Sequence, residues 1–118
     1  MSGGDLVAFL TARLDEDEAA ARAAGGNTWR EGCRSYDGET PWRDLDDYQG
    51  VSDAHHVVVT DDGGASRDQC RFIARFDPAR VLADVAAKRS LMFLGQTVVR
   101  GLAQTYRDHP DYRAEWAL

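Results

Sequence analysis

Residues 66–89 read SRDQCRFIARFDPARVLADVAAKR, and this stretch determines the helical second half of the chain. Ser66 and the glutamine three residues later have the spacing of a capping box, in which each side chain caps the other residue's backbone amide. Asp77-Pro78 then ends one helix and begins the next, because proline suits the first helical position and disfavours helix immediately before it. We therefore predict two consecutive helices, over about 66–76 and 77–94.

Helical spacing also extends to both ends of the chain. From Leu6 onward, apolar residues recur every four positions, and an alanine-rich stretch then leads to paired glycines, which predicts a helix over 5–24. A further helix is expected over 97–108, followed by a short turn over 110–117. In that turn, Trp116 and the tyrosine four residues before it share one side, where they are expected to anchor the C-terminus by aromatic packing.

The segment from 27 to 65 has a different character, because glycine, aspartate, serine and threonine interrupt the helical spacing. Asp37-Gly38 is a typical hairpin turn, and Val57-Val58-Val59 is a β-branched run bounded by turn residues. We predict two or three antiparallel strands here. The predicted fold class is therefore α+β: a single small domain, residues 1–118, whose N-terminal helix and two or three C-terminal helices pack on one face of the sheet.

Length and composition exclude several classes of protein. The 118 residues are enough for one domain with one modest core, and no apolar run approaches the length of a membrane span. The start of the chain lacks a secretory signal and there are only two cysteines, so we expect a cytoplasmic protein with reduced thiols. A formal net charge of -6 disfavours general binding to nucleic acid.

Arginines provide the first candidate site. They recur every four residues on the predicted 66–76 helix and once more just after it: Arg67, Arg71, Arg75 and Arg80. Such a face suits phosphate or carboxylate, because each guanidinium donates paired hydrogen bonds. The alternative is a set of surface ion pairs, with the acidic run at 15–18 as a possible partner.

Cysteine and histidine do not form a recognisable metal or catalytic motif. The residues in question are widely spaced or adjacent rather than in close ligand pairs: Cys33, His55, His56, Cys70 and His109. We expect no metal and no cofactor. The chain also lacks the common motifs of hydrolases, metalloproteases and nucleotide-binding proteins. An enzyme is therefore disfavoured, although a Cys and His pair brought together by the fold stays an open alternative.

The segment between 41 and 53 offers a second candidate site, for a protein partner. Trp42 and Tyr48 stand among acidic residues, and aromatic side chains inside a polar rim are frequent in protein interfaces. Burial of both rings is the alternative. The acidic runs at 15–18 and 44–47 also allow mimicry of a phosphate backbone, against which stands the simpler interpretation of solvated surface.

Three segments resemble a family of small actinobacterial and actinophage proteins that is known only as a domain of unknown function. They are DLVAFLTARLDEDE at 5–18, FDPARVLADVAAKR at 76–89 and YRDHPDYRAEW at 106–116. The resemblance implies relatives but no activity and no site residues. From the residues themselves we expect a non-enzymatic protein that binds another protein, with a phosphate, small-ligand or nucleic-acid binder acting through the arginines as the alternative.

Overall fold

A computed structural model describes residues 3–31, 33–35, 43–45, 50–53, 57–60 and 66–118 of the chain. These residues form four α-helices: α1 (Gly3–Ala23), α2 (Arg67–Arg75), α3 (Pro78–Leu91) and α4 (Gln96–Ala103). Single turns of 3-10 helix follow at Met92–Leu94, Gln104–Tyr106 and Ala114–Trp116. The strands are β1 (Arg30–Glu31), β2 (Cys33–Ser35), β3 (Arg43–Leu45), β4 (Gly50–Ser52) and β5 (Val57–Thr60). No helix in this described part is both long and apolar enough to cross a membrane.

The predicted fold class is wrong. The described chain is mostly helical, and its strands are fragments of two to four residues, shorter than the strands of a typical sheet. The main hydrophobic cluster lies among helices, where the prediction placed it between helices and a sheet. The physical reason is that the long apolar side of α1 is buried by other helical segments.

The chain divides into two compact units. The first, which we call the helical unit, contains α1 and the residues from Val81 onward. Its core is built on Leu6, Leu10 and Leu14, which are almost completely buried on one side of α1. The remaining members of this cluster are Phe9, Val85, Val99, Ala103 and Trp116. The core therefore depends on residues at opposite ends of the sequence.

The second unit, which we call the strand unit, runs from Ala24 to Arg80. In it β4 pairs with β1 and β5, and β2 pairs with β3; both sets are antiparallel. Helix α2 packs against β1 and β4. Val51, Ser52 and Cys70 are fully buried, so the inner side of α2 has a small apolar core to pack against. The number of domains stays a prediction.

Candidate functional site

Helix α2 has one buried side and one exposed side. Cys70 is fully buried, and Ile73 and Ala74 are partly buried. The exposed side carries residues that follow the helical repeat, at spacings of three and four positions. We define the α2 face as these exposed residues together with the first exposed arginine of α3: Asp68, Arg71, Phe72, Arg75, Phe76 and Arg80.

The start of α2 is fixed by the capping box that the sequence predicts. The backbone amide of Gln69 donates to Ser66 Oγ at 3.1 Å, and the backbone amide of Ser66 donates to Gln69 Oε1 at 2.8 Å. These two bonds satisfy amides that have no partner inside the helix. The box therefore holds the first turn of a nine-residue helix that is too short to be stable alone.

Two phenylalanines form the centre of the α2 face. Phe72 is 63% exposed and Phe76 is 43% exposed, and their ring centroids lie 4.7 Å apart with the planes tilted by 36°. Because the two residues are four positions apart, they lie on the same side of the helix and its C-terminal end. The pair forms a continuous aromatic surface that faces solvent.

Arginines flank this aromatic surface. The guanidinium of Arg80 lies 4.3 Å from the centroid of the Phe76 ring, a cation–π contact. Its backbone is positioned by Asp77, whose Oδ1 accepts the Arg80 amide at 2.8 Å and caps α3. Arg71 pairs with Asp68 at 3.5 Å, and both of these side chains are largely exposed.

A cavity of about 410 Å³ opens beside the aromatic pair and is lined by Asp68, Gln69, Phe72 and Ile73. Its volume falls within the range of about 300–1,000 Å³ that is usual for ligand pockets. Since the Gln69 amide group is held by the capping box, the lining available to a ligand is mainly the apolar surface of Phe72 and Ile73. This arrangement can accept an apolar side chain, with charged groups remaining at the rim.

Comparison with known proteins identifies the family to which the chain belongs. Residues 3–96, most of the chain, match the family of unknown function DUF6221. The chain belongs to this family. The DUF6221 match contains α1, α2 and α3 and ends at the first residue of α4. It includes the segments at 5–18 and 76–89 that carry the resemblance in the sequence, and it ends before the third, at 106–116. No curated protein and no solved structure shows significant similarity to the chain.

The structure places the predicted arginines in different settings. Arg71 and Arg75 lie on the exposed side of α2, and Arg80 joins them through its contact with Phe76. Arg67 begins α2, but its side chain lies outside the described residues. Sequence reasoning missed the two phenylalanines between these arginines. The sequence did contain a signal for them. Cys70 and Ile73 already supply the inner side of α2, so an aromatic pair four residues apart on another side of the helix is expected to be exposed.

The other predicted site residues do not come together within the described chain. Trp42, Tyr48 and the two adjacent histidines His55 and His56 lie outside the described residues. Cys33 is described only as a backbone position in β2. The described part of the chain contains no group of three or more potential metal ligands.

His109, the last of the predicted histidines, lies in the helical unit, where it contacts an arginine. Arg13 Nη1 is 2.8 and 2.9 Å from the two ring nitrogens, and the Arg13 side chain is 10% exposed. The backbone amide of Asp111 donates to Nδ1 of the same ring at 3.0 Å. Within the described residues, these contacts give His109 a structural role, because they tie the C-terminal segment to α1.

Two carboxylates of the acidic run of α1 pair with an arginine that sequence reasoning did not single out. Arg89 donates to Asp15 at 2.6 Å and to Glu18 at 2.9 Å. The hydrogen bond and the charge of Arg89 lower the pKa of the Glu18 carboxyl. Nearby, burial and a 2.5 Å hydrogen bond to Asp17 raise the pKa of Tyr106. Since α1 and α3 share these ion pairs, the run serves the fold of the helical unit.

Proposed function

We propose that this protein binds another protein through the α2 face. The observation that carries the proposal is the exposed, stacked pair Phe72 and Phe76 beside an apolar cavity. Together the two rings leave roughly 200 Å² of aromatic surface in water. Covering that area is worth about 5 kcal/mol before the costs of association. Aromatic residues and arginine are enriched where binding energy concentrates in interfaces.

The charges of the α2 face define the chemistry of the partner. Arg71, Arg75 and Arg80 lie on the same exposed face as the aromatic pair, so a matching surface presents an apolar side chain flanked by carboxylates. An arginine stacked on a ring keeps its N–H groups directed outward, as the geometry of Arg80 over Phe76 allows. The partner is thus an acidic protein segment with an apolar anchor.

The alternative, binding of phosphate, a small ligand or nucleic acid by the arginines, is less well supported. Asp68 lies on the same face and pairs with Arg71, which lowers the positive potential there. The chain also has a net charge of -6, and the cavity lining is mainly apolar, neither of which favours a phosphate. We also propose that the protein is cytoplasmic and is not an enzyme. The resemblance to actinobacterial and actinophage proteins is likewise part of the proposal.

The test is affinity capture from an extract of the source cells with three baits: wild type, Phe72→Asp and Leu118→Asp. Leu118 is 75% exposed and lies outside the α2 face, so the third bait controls for placing a charge on an exposed apolar position. We expect a set of proteins that the wild type and the Leu118 variant retain and the Phe72 variant loses. Identical captures for all three baits would refute the proposal.

A charge-reversed bait, Arg75→Glu, separates the two candidate functions. If a protein partner dominates, Phe72→Asp weakens capture at least as strongly as Arg75→Glu, and moderate salt leaves part of the binding. If phosphate dominates, Arg75→Glu abolishes binding while Phe72→Ala preserves it, and binding falls steeply with salt. The second pattern would overturn protein docking in favour of the alternative.

A further inference from the structure

Arg80 differs from the other arginines of the α2 face because its guanidinium already lies over an aromatic ring. The guanidinium carbon is 4.3 Å from the centroid of the Phe76 ring, and both residues are exposed. Arg71 pairs instead with the carboxylate of Asp68 at 3.5 Å. Arg75 makes no ion pair and no ring contact within the described residues. Among these arginines, Arg80 is therefore the one that is held in place without a carboxylate from the described chain.

The backbone that carries Arg80 is fixed at the start of α3. The amide of Ala79 donates to the carbonyl of Asn27 at 3.1 Å, and the amide of Arg80 donates to Asp77 Oδ1 at 2.8 Å. The other carboxylate oxygen of Asp77, a residue that is 9% exposed, accepts the backbone amide of Trp29 at 3.0 Å. These bonds tie the first turn of α3 to the segment that precedes β1. The side chain of Arg80 therefore extends from a backbone that other residues hold in place.

A side chain held in this way loses less freedom when it binds. An arginine side chain has a large rotamer entropy, part of which the contact with Phe76 has already removed. A guanidinium that lies over a ring keeps the N–H groups at its edge available as donors. These donors match the two oxygens of a carboxylate, which accept paired hydrogen bonds from one guanidinium. Arg80 is thus prepared to bind a carboxylate.

We infer that Arg80 is the specificity-determining residue of the α2 face and binds a carboxylate of the partner beside the partner's apolar anchor. This inference rests on the proposed function, because it concerns the same surface. The rings of Phe72 and Phe76 are 4.7 Å apart, and the guanidinium lies over the second of them. A partner side chain that covers Phe72 or enters the cavity therefore brings its neighbours within reach of Arg80. Since an extended chain rises about 3.3 Å per residue, the acidic residue lies within about three positions of the anchor.

The experiment selects peptides from a displayed random library on the full chain and measures the Kd of the synthesised peptides by fluorescence anisotropy. We expect peptides with an aromatic or aliphatic residue and an acidic residue within about three positions of it. Changing that acidic residue to its amide should raise the Kd for the wild type by about tenfold or more. The same peptide change should leave the Kd for Arg80→Gln unaltered, because the guanidinium that bound the carboxylate is gone. Circular dichroism checks that this variant is folded, as expected for an exposed position.

Arg71→Gln and Arg75→Gln are the matched controls, since each removes one guanidinium from the same face. Each should raise the Kd of the original peptide by less than about fivefold and should retain the effect of the peptide change. Arg80→Lys keeps the positive charge but loses the planar fork, so it should behave like Arg80→Gln. Inorganic phosphate at constant ionic strength should not displace the peptide from the wild type.

Several outcomes would each overturn the inference. They are a selection that yields no peptide, selected peptides without an acidic residue near the anchor, an amide change that weakens binding to wild type and Arg80→Gln equally, a control arginine with as large an effect as Arg80, and displacement by phosphate. Failure of the proposed function has a different signature, because peptides would then bind Phe72→Asp as tightly as the wild type. If Phe72→Asp loses the peptide and Arg80→Gln does not, docking on the α2 face stands and the role of Arg80 is refuted.

Discussion

Replacing Trp116 by alanine should remove a large part of the stability of the helical unit. Trp116 is 2% exposed, and its ring centroid lies 5.1 Å from that of Phe9 on α1. It also makes an edge contact with Tyr112 at 5.6 Å. Its backbone carbonyl accepts a hydrogen bond from Gln104 at 3.0 Å, which holds the last turn in place independently of the indole. The substitution therefore tests the side chain itself.

The magnitude follows from the buried area. A tryptophan buries about 150–250 Å², which corresponds to about 4–6 kcal/mol at 25 cal/mol per Å². Alanine retains a small part of that contact, so we expect a loss of about 3–5 kcal/mol, in the range of aromatic-to-alanine changes in cores. The indole Nε1 is buried without a hydrogen-bond partner among the described residues. Trp116→Phe removes that unsatisfied donor and should cost markedly less, about 1–2 kcal/mol.

Urea unfolding followed by circular dichroism at 222 nm measures the effect, since it reports the helices. The matched control is Leu118→Ala, a change two residues away at a position that is 75% exposed, and it should alter the free energy of unfolding by less than about 0.5 kcal/mol. If Trp116→Ala costs less than about 1 kcal/mol more than this control, the aromatic contact does not hold the unit together and the reasoning is refuted.

Three further predictions concern single contacts. Gly95→Ala should lower the free energy of unfolding by about 1–3 kcal/mol, because Gly95 has a positive φ. Gly101→Ala should raise it by up to about 1 kcal/mol, because Gly101 lies inside α4 with open space around it. Opposite shifts of the two urea midpoints relative to wild type are the expected result. Since the pKa of Tyr106 is raised in the folded protein, the contribution of Tyr106 to stability is complete below pH 10 and falls at higher pH. In Tyr106→Phe, the free energy of unfolding should therefore decrease less between pH 8 and pH 11 than it does in the wild type. Arg89→Gln should raise the pKa of Glu18 toward 4.5 in a carboxyl NMR titration, and an unchanged pKa would contradict the ion pair.

Features controlled by local chemistry were predictable from the sequence. The capping box at Ser66 and the cap at Asp77 are present as hydrogen bonds between residues three positions apart. The periodic leucines of α1 and the aromatic anchor at Trp116 are buried as their spacing indicates. In each case the sequence signal is a cap or a helical repeat within one segment, although the residues that cover Trp116 include the distant Phe9.

Features that depend on distant residues were not predictable in the same way. Arg89 pairs with Glu18, 71 positions away, and no local pattern selects it from the other arginines as the partner of the acidic run. The fold class was wrong for a related reason. The sequence shows which residues favour strands, but a strand's length depends on the partner it finds, and here the paired stretches are only two to four residues long. With strands this short, the helices of the helical unit bury their apolar sides against one another.

The phenylalanines of the α2 face show how stability and function separate in a short helix. A helix of nine residues is marginal alone, so α2 depends on its capping box, on its fully buried Cys70 and on its packing against β1 and β4. Phe72, at 63% exposure, gains little from folding beyond its contact with Phe76, and changing it to aspartate should lower the free energy of unfolding by no more than about 1 kcal/mol. Under the proposed function, this solvent-facing aromatic side chain serves to bind a partner. A Phe72→Asp variant that stays folded and loses binding is therefore the result that distinguishes a docking surface from incidental exposure.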